Sequence, residues 1–511
     1  MKIESAESRP PLETFWVALF IGGAMAAAAC YSWYSTRFIP AIHDEASYLF
    51  QAQTFLMGRI VNPVHPEHLF FDQYHIINEG VYASKYFPGF ALTLMPFLLI
   101  HQAFMNPIFF YGLELFLLFV IGKTLYGTRT AWFGMILTAI SPQIFFQNCF
   151  LLTHLSECCF LLLCFLGVLL SERENKTGWL VLASSAWGFA FLIRPLTAVG
   201  FAFPLFIFWV IKAAKGKIEQ PIQKFLWTLI PVFITLAIYF FYNKAVTGQF
   251  LKTPFDYYAE IHAPYHRYGF NQWTKYAAEA SGPRVDKYFN EYYHNHTWTI
   301  GLEFLGLRLA VFIQYLFGST ALGFLGLAAW FTALRKKETA ASLIFWIFLS
   351  LQLIHIPHFY PGILTFGSNY LYEVSGLVIL ACVNSFLILM HHPRIVKLRG
   401  LIGFVLIAAC VISSVNLEKS LSLDLLSLRS MKVWLAKQIA IRHMDQAVIF
   451  VRYPAERNIN LDVIENVPGL NSRIVFAHDR GEENARLKSY FPNDDFYLWK
   501  VETAELEKLS F

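Results

Sequence analysis

Charge is what this chain has least of. Only 15% of its 511 residues are Asp, Glu, Lys or Arg, where a soluble domain carries about a quarter, and that scarcity excludes an ordinary soluble protein. Cysteine is also sparse. The seven present (Cys30, Cys149, Cys158, Cys159, Cys164, Cys382 and Cys410) all lie in or beside apolar stretches. No CxxC pair occurs, so neither a disulfide framework nor a thiolate zinc module is offered. A Gly-rich phosphate loop is missing, which leaves no visible nucleotide site, and no internal repeat stands out. The N-terminus carries Lys2 and Arg9 ahead of a long apolar run but no convincing small-residue cleavage site, so this run is expected to stay as a first helix.

What is present is hydrophobicity. Apolar side chains make up 56% of the chain, and runs long enough to cross a hydrocarbon core of about 30 Å recur from Phe15 to about Val415. Charges then appear every few residues to the end. Two domains are therefore expected, residues 1–415 in the membrane and a soluble α/β domain over 416–511. Short loops rich in Lys and Arg stay in the cytoplasm. Placing the basic clusters at Lys123/Arg129, Arg173/Lys176, Lys212–Lys224, Arg335–Lys337 and Arg394–Arg399 inside makes most of the chain alternate. About eleven spans follow: 15–34, 106–122, 130–148, 156–170, 178–193, 196–211, 225–242, 318–334, 339–356, 371–390 and 400–415. Two further apolar stretches, 87–104 and 300–318, are read as helices lying at the outer interface. The first is interrupted by Pro88 and Pro96, and the second carries Glu303 and Arg308. This topology puts the C-terminal domain outside.

The elaborated face is then the outer one. Two long loops, 35–106 and 243–318, hold most of the histidines together with Asp44, Glu45, Asp72, Glu79, Asp256 and Asp286. Long structured loops usually carry function. The first opens with Ile42-His43-Asp44-Glu45-Ala46-Ser47-Tyr48-Leu49-Phe50-Gln51-Ala52 and closes with Tyr82-Ala83-Ser84-Lys85-Tyr86-Phe87-Pro88-Gly89-Phe90.

A DExxYxxxA pattern after the first helix, with a Lys and a Pro-containing segment closing the loop, resembles the GT-C glycosyltransferases. The protein O-mannosyltransferase and lipid A aminoarabinose transferase group is the nearest in pattern. The resemblance implies a polytopic helical fold with juxtamembrane helices in two outer loops. It implies an inverting transfer of a sugar from a polyprenyl-phosphate donor to a hydroxyl of a lipid, glycan or protein acceptor. Asp44 matches the family's acidic position and is the candidate base, with Glu45 as an orienting carboxylate or as the base itself. Lys85 matches the residue that contacts the lipid phosphate. Arg194, before Pro195 at the outer end of a span, is a second cation for that phosphate. Tyr48 of the pattern, His154 and Arg267 complete the expected substrate-binding set. Where the family has a second outer acid, residues 147–157 offer only His154 and Glu157. Where related proteins have an arginine, this chain has Asn369.

Plainer readings stand beside these. Asp44 and Glu45 suit solvated loop carboxylates, Lys85 suits an interfacial lysine, and Arg194 suits an ion pair with Glu157 inside the bundle. No cofactor is expected. His65-Pro66-Glu67-His68 leaves a divalent cation open, although Pro66 argues against a helical HxxH. The aromatic residues fit interface belts and packing, and Tyr257, Tyr258, Tyr265 and Tyr268 suit sugar stacking. In the C-terminal domain, 447–451, 474–477 and 496–499 are predicted strands and 482–490 a helix. The expected setting is a bacterial inner membrane, with the site and C-terminus periplasmic, membrane lipids around it and no nucleic-acid partner. The rival readings are a transporter or lipid flippase, and a non-catalytic assembly subunit of the same fold.

Overall fold

The computed structural model describes residues 11–262, 268–270, 296–364, 367–391, 397, 399–454 and 462–511. It is predominantly helical. Among the described residues, eight helices are long and apolar enough to cross a membrane by length and composition, so the protein is an integral membrane protein. The chain divides into two compact units.

The first unit comprises residues 1–35, 104–235 and 298–421. Its centre is formed by the helices His154–Glu174 and Tyr372–Met390, which are mostly apolar and mostly buried. Helices with such composition need neighbours all round. Those neighbours include Met105–Tyr126, Thr177–Ile193 and Thr339–Ile354, which share one continuous apolar core with them. Small residues let helix backbones come close in a membrane. At Gly376 the space a Cβ would need is filled by the Leu118 side chain, and at Gly134 by Leu380.

Two expectations about spans need correction. Residues 130–148 are not one span. The helix Thr128–Ile140 stops after 13 residues, because Ser141 precedes Pro142 and is extended (φ −66°, ψ 121°). Proline disfavours helical backbone in the residue before it. A short helix Pro142–Phe145 and a 3₁₀ turn Phe146–Cys149 follow. At ~1.5 Å per residue, 13 residues cover about 20 Å, short of the hydrocarbon core. Conversely Trp298–Leu316, expected at the interface, is 19 residues long and apolar enough to span. Its Arg308 is buried inside the unit, so the charge that argued against a crossing is not presented to lipid.

The second unit comprises residues 36–103, 236–297 and 422–511. It holds the helix His43–Leu56, an antiparallel hairpin of Ile76–Glu79 with Val81–Ser84, and the helices Pro88–Leu99 and Pro254–Ile261. Gly80 turns the hairpin with φ +73°, a conformation that favours glycine. Pro88–Leu99 has 12 residues with Pro96 inside and falls short of a crossing.

The C-terminal sheet has four strands in the order Ile474–His478, Ala447–Arg452, Asp495–Lys500, Glu505–Leu509, the last one antiparallel. The three strands expected from sequence are present. The fourth is too charged to stand out, and the expected helix near 482–490 is a 3₁₀ segment, Gly481–Ser489. The strand Ala447–Arg452 is apolar and buried up to Val451 because both of its faces are covered there. Ala447, Ile449 and Val451 pack with Leu435, Tyr497 and Trp499. Val448 and Phe450 pack with Phe496, Leu498 and two side chains of the 3₁₀ turn His68–Phe71, Phe70 and Phe71.

Candidate active site

The helix His43–Leu56 starts at Ile42, whose side chain cannot accept a hydrogen bond. Glu45 compensates by reaching back to accept from the backbone N–H of Ala41 (2.6 Å) and Ile42 (3.1 Å). This satisfies donors that the helix start leaves orphaned. Glu45 is wholly buried, with a guanidinium nitrogen of Arg429 3.9 Å from its carboxylate. Arg429 also donates from Nε to the Ile39 carbonyl (2.5 Å), and Lys432 donates to the Pro40 carbonyl (3.0 Å) while pairing with Glu465. The geometry gives Glu45 a capping role. Its neighbour Asp44 keeps 34% of its side chain exposed.

Asp44 is held by an element distant in sequence. The Tyr86 hydroxyl donates to Asp44 Oδ1 and lies 2.9 Å from His75 Nδ1, which stands 3.8 Å from Asp44 Oδ2. Burial and the Asp44 carboxylate both push the Tyr86 phenol well above its ordinary range, so it stays protonated and donates. Tyr48 packs its ring on Tyr86 (4.4 Å between centroids), with Phe90 edge-on to Tyr48 at 4.7 Å. Gln51 fixes the same segment by donating to the Tyr86 carbonyl (2.8 Å). His75 has φ +62°, strained for a residue with a Cβ. Its backbone is pinned from three sides, accepting from Ser47 Oγ (2.9 Å) and Lys85 N (3.0 Å) and donating to Tyr258 Oη (3.1 Å).

Lys85, next to Tyr86, is 2% exposed. Its Nζ sits against three rings, 4.8 Å from the centroid of Phe255, 4.9 Å from Tyr258 and 5.2 Å from Tyr86. Ring faces attract a cation while removing it from water. Burial lowers the Lys85 pKa to about 7, with Asp44 pulling the other way. The second unit therefore brings Asp44, Glu45, Tyr48 and Lys85 into one neighbourhood, a carboxylate beside a lysine of adjustable charge.

In the first unit, Arg194 lies between the helices Thr177–Ile193 and Pro195–Ala214. One guanidinium nitrogen is 2.9 Å from Glu373 Oε1, 3.3 Å from Glu157 Oε2 and 2.9 Å from His154 Nδ1. His154 Nδ1 is in turn 3.0 Å from Glu373 Oε1. Arg194 and His154 are thus members of a buried charge cluster, and the ion pair with Glu157 is present. Glu373, central to that cluster, escaped sequence reasoning because it lies at the start of an apolar helix 179 residues away from Arg194. Arg267 lies outside the described residues.

Residues 85–241 match the family model of dolichyl-phosphate-mannose-protein mannosyltransferase. The crystal structure of ArnT from Cupriavidus metallidurans bound to undecaprenyl phosphate superposes with a TM-score of 0.56, at 13% identity over 96% of this chain and 94% of that one. The chain has the GT-C glycosyltransferase fold. The apo state of the same ArnT gives 0.55 at 13% identity, with the same coverage of each chain. Archaeal oligosaccharyltransferase AglB from Archaeoglobus fulgidus, in complex with an inhibitory peptide and a dolichol-phosphate, gives 0.49 at 12% identity over 81% of this chain and 56% of that one. No curated protein matches in sequence.

The GT-C resemblance drawn from the DExxYxxxA pattern is thereby borne out for the fold. The family match begins at Lys85 and takes in His154 and Arg194, whereas Asp44, Glu45 and Tyr48 precede it and rest on geometry. His75, Tyr86 and Phe255 are neighbours of Asp44 and Lys85 that the expected site residues did not include. Tyr86 was legible only as part of the loop-closing segment, since nothing in a lone tyrosine says that its hydroxyl reaches a carboxylate 42 residues earlier. His65 packs against Phe71 (4.9 Å) and Tyr490 (4.6 Å), and accepts from the Glu67 N–H. Among the described residues no group of three or more His, Cys, Asp or Glu is placed to hold a metal ion.

Proposed function

We propose that this protein is an inverting glycosyltransferase that moves a sugar from a polyprenyl-phosphate donor to a hydroxyl acceptor at the outer face of a bacterial cell membrane. The observation that carries this reading is the Asp44–Tyr86 hydrogen bond beside the ring-enclosed Lys85. The GT-C fold and the mannosyltransferase match over 85–241 support it.

The chemistry needs two things the site offers. An acceptor hydroxyl is a weak nucleophile at neutral pH, and a carboxylate in reach takes its proton as it attacks. Tyr86 occupies Asp44 Oδ1, which leaves Oδ2 for that proton. The bond between the anomeric carbon and the phosphate oxygen breaks as the new glycosidic bond forms on the opposite face. The departing polyprenyl phosphate gains charge and needs a cation against it. Lys85 supplies one, taking up a proton when an anion replaces its aromatic surroundings. Glu45, Arg429 and Lys432 hold the start of the Asp44 helix in place.

Asp44→Asn and Lys85→Ala, each reconstituted in vesicles with a polyprenyl-phosphate sugar, test the reading. Both are expected to insert normally and to lose transfer. Transfer near the wild-type rate in either variant would remove that residue's assignment.

A further inference from the structure

The first unit contains an arginine whose charge nothing described balances. Arg308 sits in the middle of the apolar helix Trp298–Leu316 and is 0% exposed. One Nη donates to the His355 carbonyl (3.0 Å), and the guanidinium carbon stands 5.7 Å from the Tyr370 ring centroid. Its Nε and other Nη are buried with no hydrogen-bond partner among the described residues. No carboxylate among them forms an ion pair with it. Arg194, whose guanidinium also faces the Tyr370 ring (5.5 Å), is by contrast neutralised by Glu157 and Glu373.

A buried guanidinium with two idle donors is costly unless something anionic meets it. Such a residue inside a spanning helix marks a binding site by default. Other unmet polar atoms lie within a turn of the residues Arg308 touches. Both amide atoms of Gln352 lack partners, three residues before His355, as does the hydroxyl of Ser368, two residues before Tyr370. The wall behind is fixed. His355 stacks on Tyr370 (4.1 Å, 13°), and His358 Nδ1 lies 3.0 Å from the Tyr370 hydroxyl. At Gly301, two turns before Arg308, a Cβ would stand 2.6 Å from the Ile356 carbonyl, so helix and loop are in backbone contact there.

We infer that Arg308 is the core of a second anion site, which takes a lipid-borne phosphate. The guanidinium fork matches phosphate oxygens two at a time, and Gln352 and Ser368 add neutral donors. A lipid is the source because of where the site lies. Trp298, Leu302 and Leu307 on the same helix are exposed apolar side chains suited to hydrocarbon, and basic pockets between spanning helices take lipid headgroups. The inference does not need the transferase reading, and its residues are other than Lys85.

The test measures binding to the full chain in phosphatidylcholine nanodiscs, comparing undecaprenyl phosphate with undecaprenol. The wild type is expected to prefer the phosphate at least tenfold. Arg308→Met loses most of that preference, and Arg308→Lys keeps part of it. Competition by phosphatidylglycerol would name a bilayer phospholipid as the source and support the site. Displacement by millimolar inorganic phosphate alone would overturn the lipid assignment. No preference in the wild type, or a preference untouched in Arg308→Met, overturns the site. Lys85→Ala is carried alongside, so that a loss confined to Lys85 counts against Arg308 and for the transferase site. Should Arg308→Met not fold, photo-crosslinking of the wild type with a diazirine-bearing polyprenyl phosphate decides. Label within 298–316 or 352–370 supports the site, and label wholly elsewhere overturns it.

Discussion

Tyr86 donates its phenolic hydrogen to Asp44, and the same hydroxyl lies 2.9 Å from His75 Nδ1. The candidate base is thus oriented by a tyrosine from the far end of its own loop, one residue after the lysine proposed to meet the donor phosphate. Base and phosphate ligand are placed by one short segment, and changes to it should separate orientation from charge.

Removing the base is the sharpest change. Asp44→Asn keeps an acceptor for the Tyr86 hydroxyl but cannot take a proton. The turnover number should fall by about 10²–10⁴, the usual contribution of a positioned general base, with the donor KM little altered. Initial rates against donor concentration check this.

Tyr86→Phe keeps the ring that Tyr48 packs on and deletes only the hydroxyl. A lost hydrogen bond to a charged group is worth about 1.5–3 kcal/mol, so kcat should drop roughly ten- to hundredfold. KM should hold. A rise in KM with unchanged kcat would show that Tyr86 binds substrate instead of orienting Asp44.

The depressed Lys85 pKa of about 7 has a sign that can be worked out. Below it the amine is already charged when donor arrives. Above it the free amine is neutral and must take up a proton to pair with phosphate, so donor affinity should fall as pH rises through 7. The limit is about tenfold per pH unit. Lys85→Arg, which stays charged, should flatten that dependence. Donor KM measured from pH 6 to 9 tests both statements.

Phe70 and Phe71 lie far from the C-terminal strands in sequence, yet they complete one face of that sheet. Phe71→Ala should destabilise that region by about 3–5 kcal/mol, as large-to-small changes in cores do. Limited proteolysis should then cut within 447–509 much faster than in the wild type.

Arg194 balances Glu157 and Glu373, both fully buried. Arg194→Met leaves two carboxylates without their cation and should lower stability by about 3–5 kcal/mol. The further change Glu373→Gln should restore part of it. Thermal unfolding of the single and double variants measures the coupling.

The membrane character and three of the four C-terminal strands were legible along the chain, because each is a local pattern. Hydrophobic run length sets candidate spans, and alternating or continuous apolar residues between turn signals set strands. Local patterns stop where the answer depends on distant partners. Ser141-Pro142 broke an expected span because a proline overrides the apolar run around it. Asp44 and Glu45 are adjacent carboxylates that the family pattern ranked, Asp44 first, but whose surroundings the sequence did not show. Arg429 and the backbone at 41–42 turn Glu45 inward to cap the helix, while Tyr86 holds Asp44 at the surface. Arg308 looked like a reason against a spanning helix until tertiary packing buried it against His355 and Tyr370. A residue's type determines what chemistry it can do. Which neighbours it meets, and so whether its charge is balanced, aimed or left over, is decided only when helices far apart in sequence pack together.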